Sequence, residues 1–367
     1  MEQPNLKVSI SPHIHEPLST TRIMWTVTLC LIPAAAWGVY VFGLSSLGVL
    51  VTSILAAVIT EAIIGAIMGK FTLNDGSAFL TGLLIGMNMP PVIPAYIPAI
   101  ASIFAIAVVK WSFGGLGTNW MNPALAGRVF VFFSWTGDMT SWKAPITWPS
   151  ADAVSGASPL GFIKSKLLNF TGSAQGSMDF LGQQDYPHTQ MDQGVTEWLN
   201  SVIFHPLKAN LPEGYIDLFV GNIPGCIGEV SALFLLLGTI YLFAKKIITW
   251  EIPVAYIGVF GALVWIFGGT RFGGGFFSGD ILFHLLSGGL ILGVFYMATD
   301  MVTSPLTRNG MLIFGAGAGF FTFLIRIYGS FPEGVSLAII LMNIFVPLIN
   351  RYTGPERYGI EKKEAEA

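Results

Sequence analysis

Four charged residues stand inside runs of apolar neighbours: Glu61, Arg128, Asp280 and Asp300. An ionisable group at membrane depth is costly unless it is paired or wet, so each is a candidate for ion passage or for a structural pair. Glu61, between Ile59-Thr60 and Ala62-Ile63-Ile64, is the hardest to place at an interface. Asp280 suits a helix mouth. Asp300 fits either a cap on an interrupted helix or contact with an ion or cofactor. Arg128 fits either a structural ion pair or a hold on a phosphate or quinone-like oxygen, and Glu333 is expected to cap the last span. Asn119 and Asn122 are three apart at a helix start, with Pro123 next. Asn122 suits the cap and Pro123 the first turn, and both amides can face one pocket. A different chemistry is offered by Ser155-Gly156-Ala157-Ser158, preceded by Asp152 and closed by Pro159: a small hydroxyl-bearing turn in a polar interruption.

Other chemistries find no support. Ser11-Pro12-His13-Ile14-His15 supplies two imidazoles at i and i+2, too few ligands for a metal site, and His188, His205 and His284 are scattered. Phosphate-binding glycine loops, dinucleotide fingerprints and zinc motifs are absent, so neither ATP use nor hydrolysis is expected. Cys30 and Cys226 are the only cysteines. Two thiols cannot hold an iron–sulfur cluster alone, and both read as buried structural groups.

These residues must be carried by membrane elements. Of 367 residues 53% are hydrophobic and 11% charged, and the mean hydropathy is +0.67. That is too apolar for an ordinary soluble domain. Runs near or above the roughly 18 apolar residues that cross a bilayer recur along the chain. The expectation is an all-α polytopic membrane protein with ten helices, near 23–43, 46–69, 77–90, 97–110, 122–135, 226–244, 252–268, 280–297, 309–326 and 334–350. The corresponding division is a cytoplasmic segment 1–22, a first membrane half 23–135, a long external loop 136–225, a second half 226–350 and a cytoplasmic tail 351–367. The first run follows polar residues and lacks a small-residue cleavage site, so it reads as a span and not as a removable signal.

Charge sets the orientation. With the N-terminus inside, eleven lysines and arginines, among them Lys70, Lys110, Lys245 and Lys246, fall on the cytoplasmic side, against Arg271 and Arg326 in short outer loops. The net charge of -3 gives no sign of nucleic-acid binding. A repeat is also visible. Gly82-Leu83-Leu84-Ile85-Gly86 and Gly289-Leu290-Ile291-Leu292-Gly293 each precede an interruption, at Pro90-Pro91 and at 299–305, and later an aromatic-glycine pair, Phe113-Gly114 and Tyr328-Gly329. Five spans per half make such a repeat inverted, the architecture that puts binding sites at broken helices near the midplane.

On these motifs the chain resembles the D subunits of Rnf electron-transport complexes and their relatives, the B subunits of sodium-pumping NADH:quinone reductases. The likeness runs over nearly the whole length, through Ser11-Pro12-His13, 122–128, 152–158, 298–305, 332–336 and 343–347. It implies that the Asp152 to Ser158 stretch is a flavin-transferase signal, with FMN attached by a phosphoester to Ser158. The family's usual acceptor is threonine; serine offers the same oxygen without the β-methyl. It also implies a non-covalent riboflavin near Asn119 and Asn122, with Asp300 and Thr303 at the second interruption, and a cation path past Glu61 and Asp300 that moves Na+ or H+. Iron–sulfur and flavin subunits, ferredoxin and NAD would be partners within the complex, in a bacterial or archaeal cytoplasmic membrane. Two other readings stand beside it: a quinone-reductase subunit, or a small-solute channel or transporter with no redox group.

Overall fold

The computed structural model describes residues 19–148, 156–167, 170, 172, 174, 176–273, 275–331 and 333–354. Among them every regular element is helical. Thr20–Phe42 (α1) and Leu44–Met68 (α2) are joined by a single residue, Gly43, whose φ of +85° makes the sharp reversal possible without strain. Ser19 caps α1 by accepting from the Arg22 amide at 3.2 Å. Ser77–Met87 (α3) stops before Pro90-Pro91, whose missing amides cannot continue it. Tyr96–Lys110 (α4) loosens into a π-helical stretch over its last two turns, and Pro123–Ser134 (α5) closes the first half.

The polar interruption is not an unstructured loop. It holds Thr136–Met139 (α6), Pro159–Leu167 (α7), Ser177–Gln183 (α8), Gln190–Leu199 (α9) and Tyr215–Val220 (α10). Asp192 organises this region: it accepts from the amides of Gly214, Ile216 and Asp217 at 2.6, 2.9 and 3.0 Å, and so caps the start of α10. Asp217 in turn holds the Thr189 amide and hydroxyl. Trp148, Leu160, Ile163, Met178, Phe180 and Tyr186 form an apolar cluster that continues into Val41 and Phe42 of α1. The segment is seated on the membrane helices by burial.

Ala232–Ala244 (α11), Glu251–Phe267 (α12), Ile281–Leu286 (α13), Leu290–Leu292 (α14, extended by Gly293–Met297 in π form), Arg308–Phe323 (α15, extended by Leu324–Tyr328 in π form) and Val335–Thr353 (α16) complete the chain. Among the described residues five helices are long and apolar enough to span a bilayer: Thr20–Phe42, Leu44–Met68, Glu251–Phe272, Arg308–Tyr328 and Val335–Thr353. The other apolar helices are shorter. Two expectations change. The span placed at 226–244 starts only at Ala232, because 226–231 form a plug of turns instead: the Ile227 and Gly228 amides donate to Met89 O and Met87 O, taking up carbonyls freed where α3 stops. The span placed at 280–297 is broken at Ser287 to Gly289.

Glycines set the closest approaches. A Cβ on Gly319 of α15 would lie 2.5 Å from Tyr256 O of α12, and one on Gly82 of α3 would lie 2.7 Å from Ile54 Cα of α2. Small residues at such crossings let backbones touch where apolar surroundings supply no hydrophobic drive between helices.

Candidate functional site

Two cavities gather most of the cofactor candidates. The larger, of about 600 Å³, is lined by Trp142, Gly156, Ala157, Ser158, Lys164 and Ser330, among others. Ser158 precedes α7, and its Oγ accepts from the Gly161 amide at 3.2 Å, as a helix cap does. It is only 5% exposed, so the hydroxyl is sunk at the cavity wall and not presented on a free rim. Ala157 O accepts from Tyr186 Oη at 3.0 Å, which fixes the turn. Asp152 and Ser155 lie outside the described residues. Lys164, on the same helix as the cap, donates to Gly329 O at 2.7 Å and to Phe331 O. Burial, then the neighbouring Arg271 and Arg326, push its ammonium down to about 8.

The smaller cavity, of about 340 Å³, lies among the starts of α1, α3 and α5 and the segment after α14; Lys110, Asn119, Asn122, Tyr296, Thr299 and Asp300 line it. Asn122 caps α5, accepting from the Ala124 and Leu125 amides at 3.0 and 3.3 Å, while its Nδ2 donates to Met297 O at 3.3 Å. Asn119 is 7% exposed, and its Oδ1 has no partner among the described residues. A buried carbonyl oxygen facing a cavity without a donor is what a ligand or water would satisfy. Asp300 accepts from Thr303 Oγ1 at 2.9 Å and forms no ion pair among the described residues. With its amide turned to satisfy both ends, Asn343 donates to Thr303 O and accepts from the Asn122 amide, binding the two interruptions together.

Glu61 does not face that cavity directly. Its carboxylate accepts from Thr72 Oγ1 at 2.6 Å, from Lys110 Nζ at 2.9 Å through each oxygen, and from Trp111 Nε1 at 3.0 Å. Lys110 also donates to Ser77 Oγ at 2.7 Å, so its three donors are used. The sequence places Lys110 at the cytoplasmic surface; it is 2% exposed, because a carboxylate at that depth needs a cation.

Arg128 forms a structural ion pair, with two acids that sequence reasoning did not offer it. Its Nη2 donates to Glu333 at 2.7 Å and its Nη1 lies 3.1 Å from Glu229 Oε1. Glu333 therefore does not cap α16, whose first turn carries no side-chain cap. Asp280 does cap α13, accepting from the Phe283 amide at 2.9 Å, and it receives Tyr215 Oη at 2.6 Å. Arg326, expected in an outer loop, lies in the π-helical end of α15 with 2% exposure and donates to His284 O. Cys30 and Cys226 are free and buried.

Ser158, Gly156 and Ala157 thus share one cavity and Asn119, Asn122 and Asp300 another, while Glu61 and Thr303 stand behind the second. Lys164, Lys110, Glu229 and Arg326 were missed. No local signal pointed to them: Lys110 closes the run 97–110 just as Lys70, nearer Glu61, closes the run 46–69.

Comparison with known proteins identifies the family. The model of the NQR2, RnfD, RnfE family matches residues 7–359. The chain is 44% identical over 360 residues, 97% of its length and 96% of the relative's, to the D subunit of the proton-translocating ferredoxin:NAD(+) oxidoreductase complex of Clostridium ljungdahlii. It is 41% identical to the D subunit of the Na(+)-translocating ferredoxin:NAD(+) oxidoreductase complex of Acetobacterium woodii, covering 100% of this chain and 99% of that one. To the D subunit of the ion-translocating oxidoreductase complex of Stutzerimonas stutzeri it is 37% identical, over 93% and 92% of the two chains.

Proposed function

The chain belongs to the NQR2, RnfD, RnfE family, and on that premise we propose that it is the D subunit of an ion-translocating ferredoxin:NAD+ oxidoreductase, passing electrons through FMN esterified to Ser158. The carrying observation is Ser158 itself, a capping hydroxyl set into the wall of a roughly 600 Å³ cavity. A volume of that size suits a ring system of cofactor dimensions. The start of α7 and the Lys164 ammonium beside it favour the anionic phosphate of such an ester. The cavity lined by Asn119, Asn122 and Asp300 fits a second, non-covalent group such as riboflavin, because Asn119 Oδ1 is free to accept from a ring N–H.

When bound, the flavin supplies one-electron chemistry; the chain supplies position and electrostatics. Iron–sulfur and nicotinamide chemistry falls to partner subunits, since two buried cysteines offer no cluster site. Five spans, the shorter apolar helices α3, α4, α5 and α11, and the broken pair α13–α14 support a ten-helix membrane body with an inverted 5+5 repeat. The pairing of a broken α3 with a broken α13–α14, and of π-ended α4 with π-ended α15, is the pattern such a repeat requires. Lysine and arginine placement supports cytoplasmic termini and an external Ser158. Glu61 and Asp300 remain the cation-path acids of this reading, with Lys110 as the group a passing cation must displace.

The test is chemical. Chain purified from cells that make its flavin transferase should fluoresce in a denaturing gel and weigh one FMN less water above the sequence mass. Ser158→Ala should lose both signals. An unmodified tryptic peptide spanning Ser158 would overturn the attachment and favour a redox-inactive permease.

A further inference from the structure

The break between α13 and α14 has a second consequence. Ser287 is extended, and Gly288 takes φ +67° before α14 begins. A Cβ on Gly288 would lie 3.2 Å from Arg326 Nη2 and 3.5 Å from Glu333 Cγ, and one on Gly289 would lie 2.3 Å from Glu229 Oε1. Two residues without side chains therefore make room for two carboxylates and a guanidinium. Arg128 reaches the same group from α5, so two acids and two guanidiniums meet in the interior.

Their hydrogen bonding is incomplete. Both carboxylate oxygens of Glu229, Nε and Nη2 of Arg326, Ser287 Oγ and His284 Nδ1 have no hydrogen-bond partner among the described residues. All four residues are more than nine-tenths buried. Donors and acceptors are mixed, and a mixed set of that kind is satisfied by water better than by a bare ion. A chamber of about 10 Å³ lined by Ser158, Gly288, Glu229 and Glu333 lies there, about the room one water needs. Ser158 also lines the larger cavity. The residue thus stands between that cavity and a narrow chamber that Glu229 also lines.

We propose that Glu229 is a proton-binding carboxylate that is loaded and unloaded with the redox group on Ser158, through water in this chamber. The proposal rests on the flavin reading above. Glu229 is the acid to take the proton because its hold on the negative charge is the weaker. Arg128 donates a 2.7 Å hydrogen bond to Glu333, but its 3.1 Å approach to Glu229 is out of line for one. The groups facing Glu229 are Arg128 of α5, Cys226 of the plug, Glu333 before α16, Arg326 of α15 and His284 of α13. With both acids ionised the two guanidiniums are balanced. Protonation of Glu229 leaves one net positive charge beneath Ser158, which offsets an electron arriving there. The balance is one electron from an iron–sulfur partner onto the tethered ring and one proton from the outer aqueous phase onto a Glu229 oxygen, forming an O–H bond. On reoxidation the electron passes to the next redox centre of the complex, a flavin or iron–sulfur group of a partner subunit, and the proton returns to the outer aqueous phase.

Infrared difference spectra of the assembled complex, poised oxidised and reduced in H2O and D2O, test this. Fluorescence in a denaturing gel first establishes that Ser158 carries flavin; a dark band there sinks the flavin reading, and with it the proposal that rests on it. With flavin in place, reduction should raise a protonated-carboxyl C=O band that shifts down in D2O. Glu229→Gln should lose the band, and Glu229→Asp, which keeps the acid should the glutamine variant fail to assemble, should move its frequency. A flavin-loaded wild type without such a band, or a band indifferent to both substitutions, overturns the proposal while leaving the flavin in place.

Discussion

At the scale of single residues, the interior is governed by paired charges. Lys110 and Glu61 are 2% and 1% exposed and saturate one another's hydrogen bonds together with Thr72, Ser77 and Trp111. Removing one member strands the other, which costs about 3–5 kcal/mol. Lys110→Met should therefore lower the thermal midpoint of the detergent-solubilised chain sharply, while Lys110→Met with Glu61→Gln recovers most of the loss, since no buried charge is left alone. Equal losses in the single and double variants would show that the pair is not what stabilises this site. The partner of Glu61 was hidden in the sequence because Lys110 ends an apolar run and looks like an interfacial cation. The partners of Arg128 were hidden for another reason: Glu229 and Glu333 lie 101 and 205 positions away, and no local pattern reports a contact at that distance. Asn122 was readable because capping is local.

At the scale of elements, glycine separates crossings from faces. Gly319 packs against the α12 backbone, whereas Gly258 of α12 has nothing within 4 Å of its Cβ position. Gly319→Ala should destabilise by about 1–3 kcal/mol, the usual cost of overpacking. Gly258→Ala should be neutral or stabilise by up to about 1 kcal/mol from helix propensity. Thermal unfolding of the two variants beside wild type decides, and equal effects would contradict the close crossing of α12 and α15. Helix positions followed from hydropathy alone, and the end of α3 from Pro90-Pro91. The break inside 280–297 did not, because Ser287-Gly288-Gly289 carries no proline and is fixed by the charged groups that fill the gap. The late start of α11 is likewise set by long-range pairing with Met87 and Met89.

At the scale of the molecule, α7 of the polar interruption is fastened beside the end of α15 through Lys164, which bonds to carbonyls of 329 and 331. Its ammonium is held at about 8, against an ordinary 10.5. A base with a lowered folded-state value binds fewer protons than the unfolded chain between those limits, so stability rises with pH across that window. Denaturation of this segment followed by proteolysis should become slower from about pH 8 to about pH 10.5, with Lys164→Met flattening the rise. A wild-type profile that is flat or falls there would refute this account of the ammonium. The fold of the polar interruption was not legible beforehand: its apolar residues are spaced irregularly and find their partners in Val41, Phe42 and Phe283, far along the chain.

The plug at 226–228 bears on how the chain is made. Cys226 Sγ meets Asn88 O across 138 positions, and the neighbouring amides close the end of α3. A ribosome must therefore deliver more than a third of the protein after α3 has entered the bilayer before those carbonyls gain their permanent donors. Until then the first five helices are an unfinished insertion intermediate, dependent on water or the insertion machinery, and maturation of the two halves is sequential by construction.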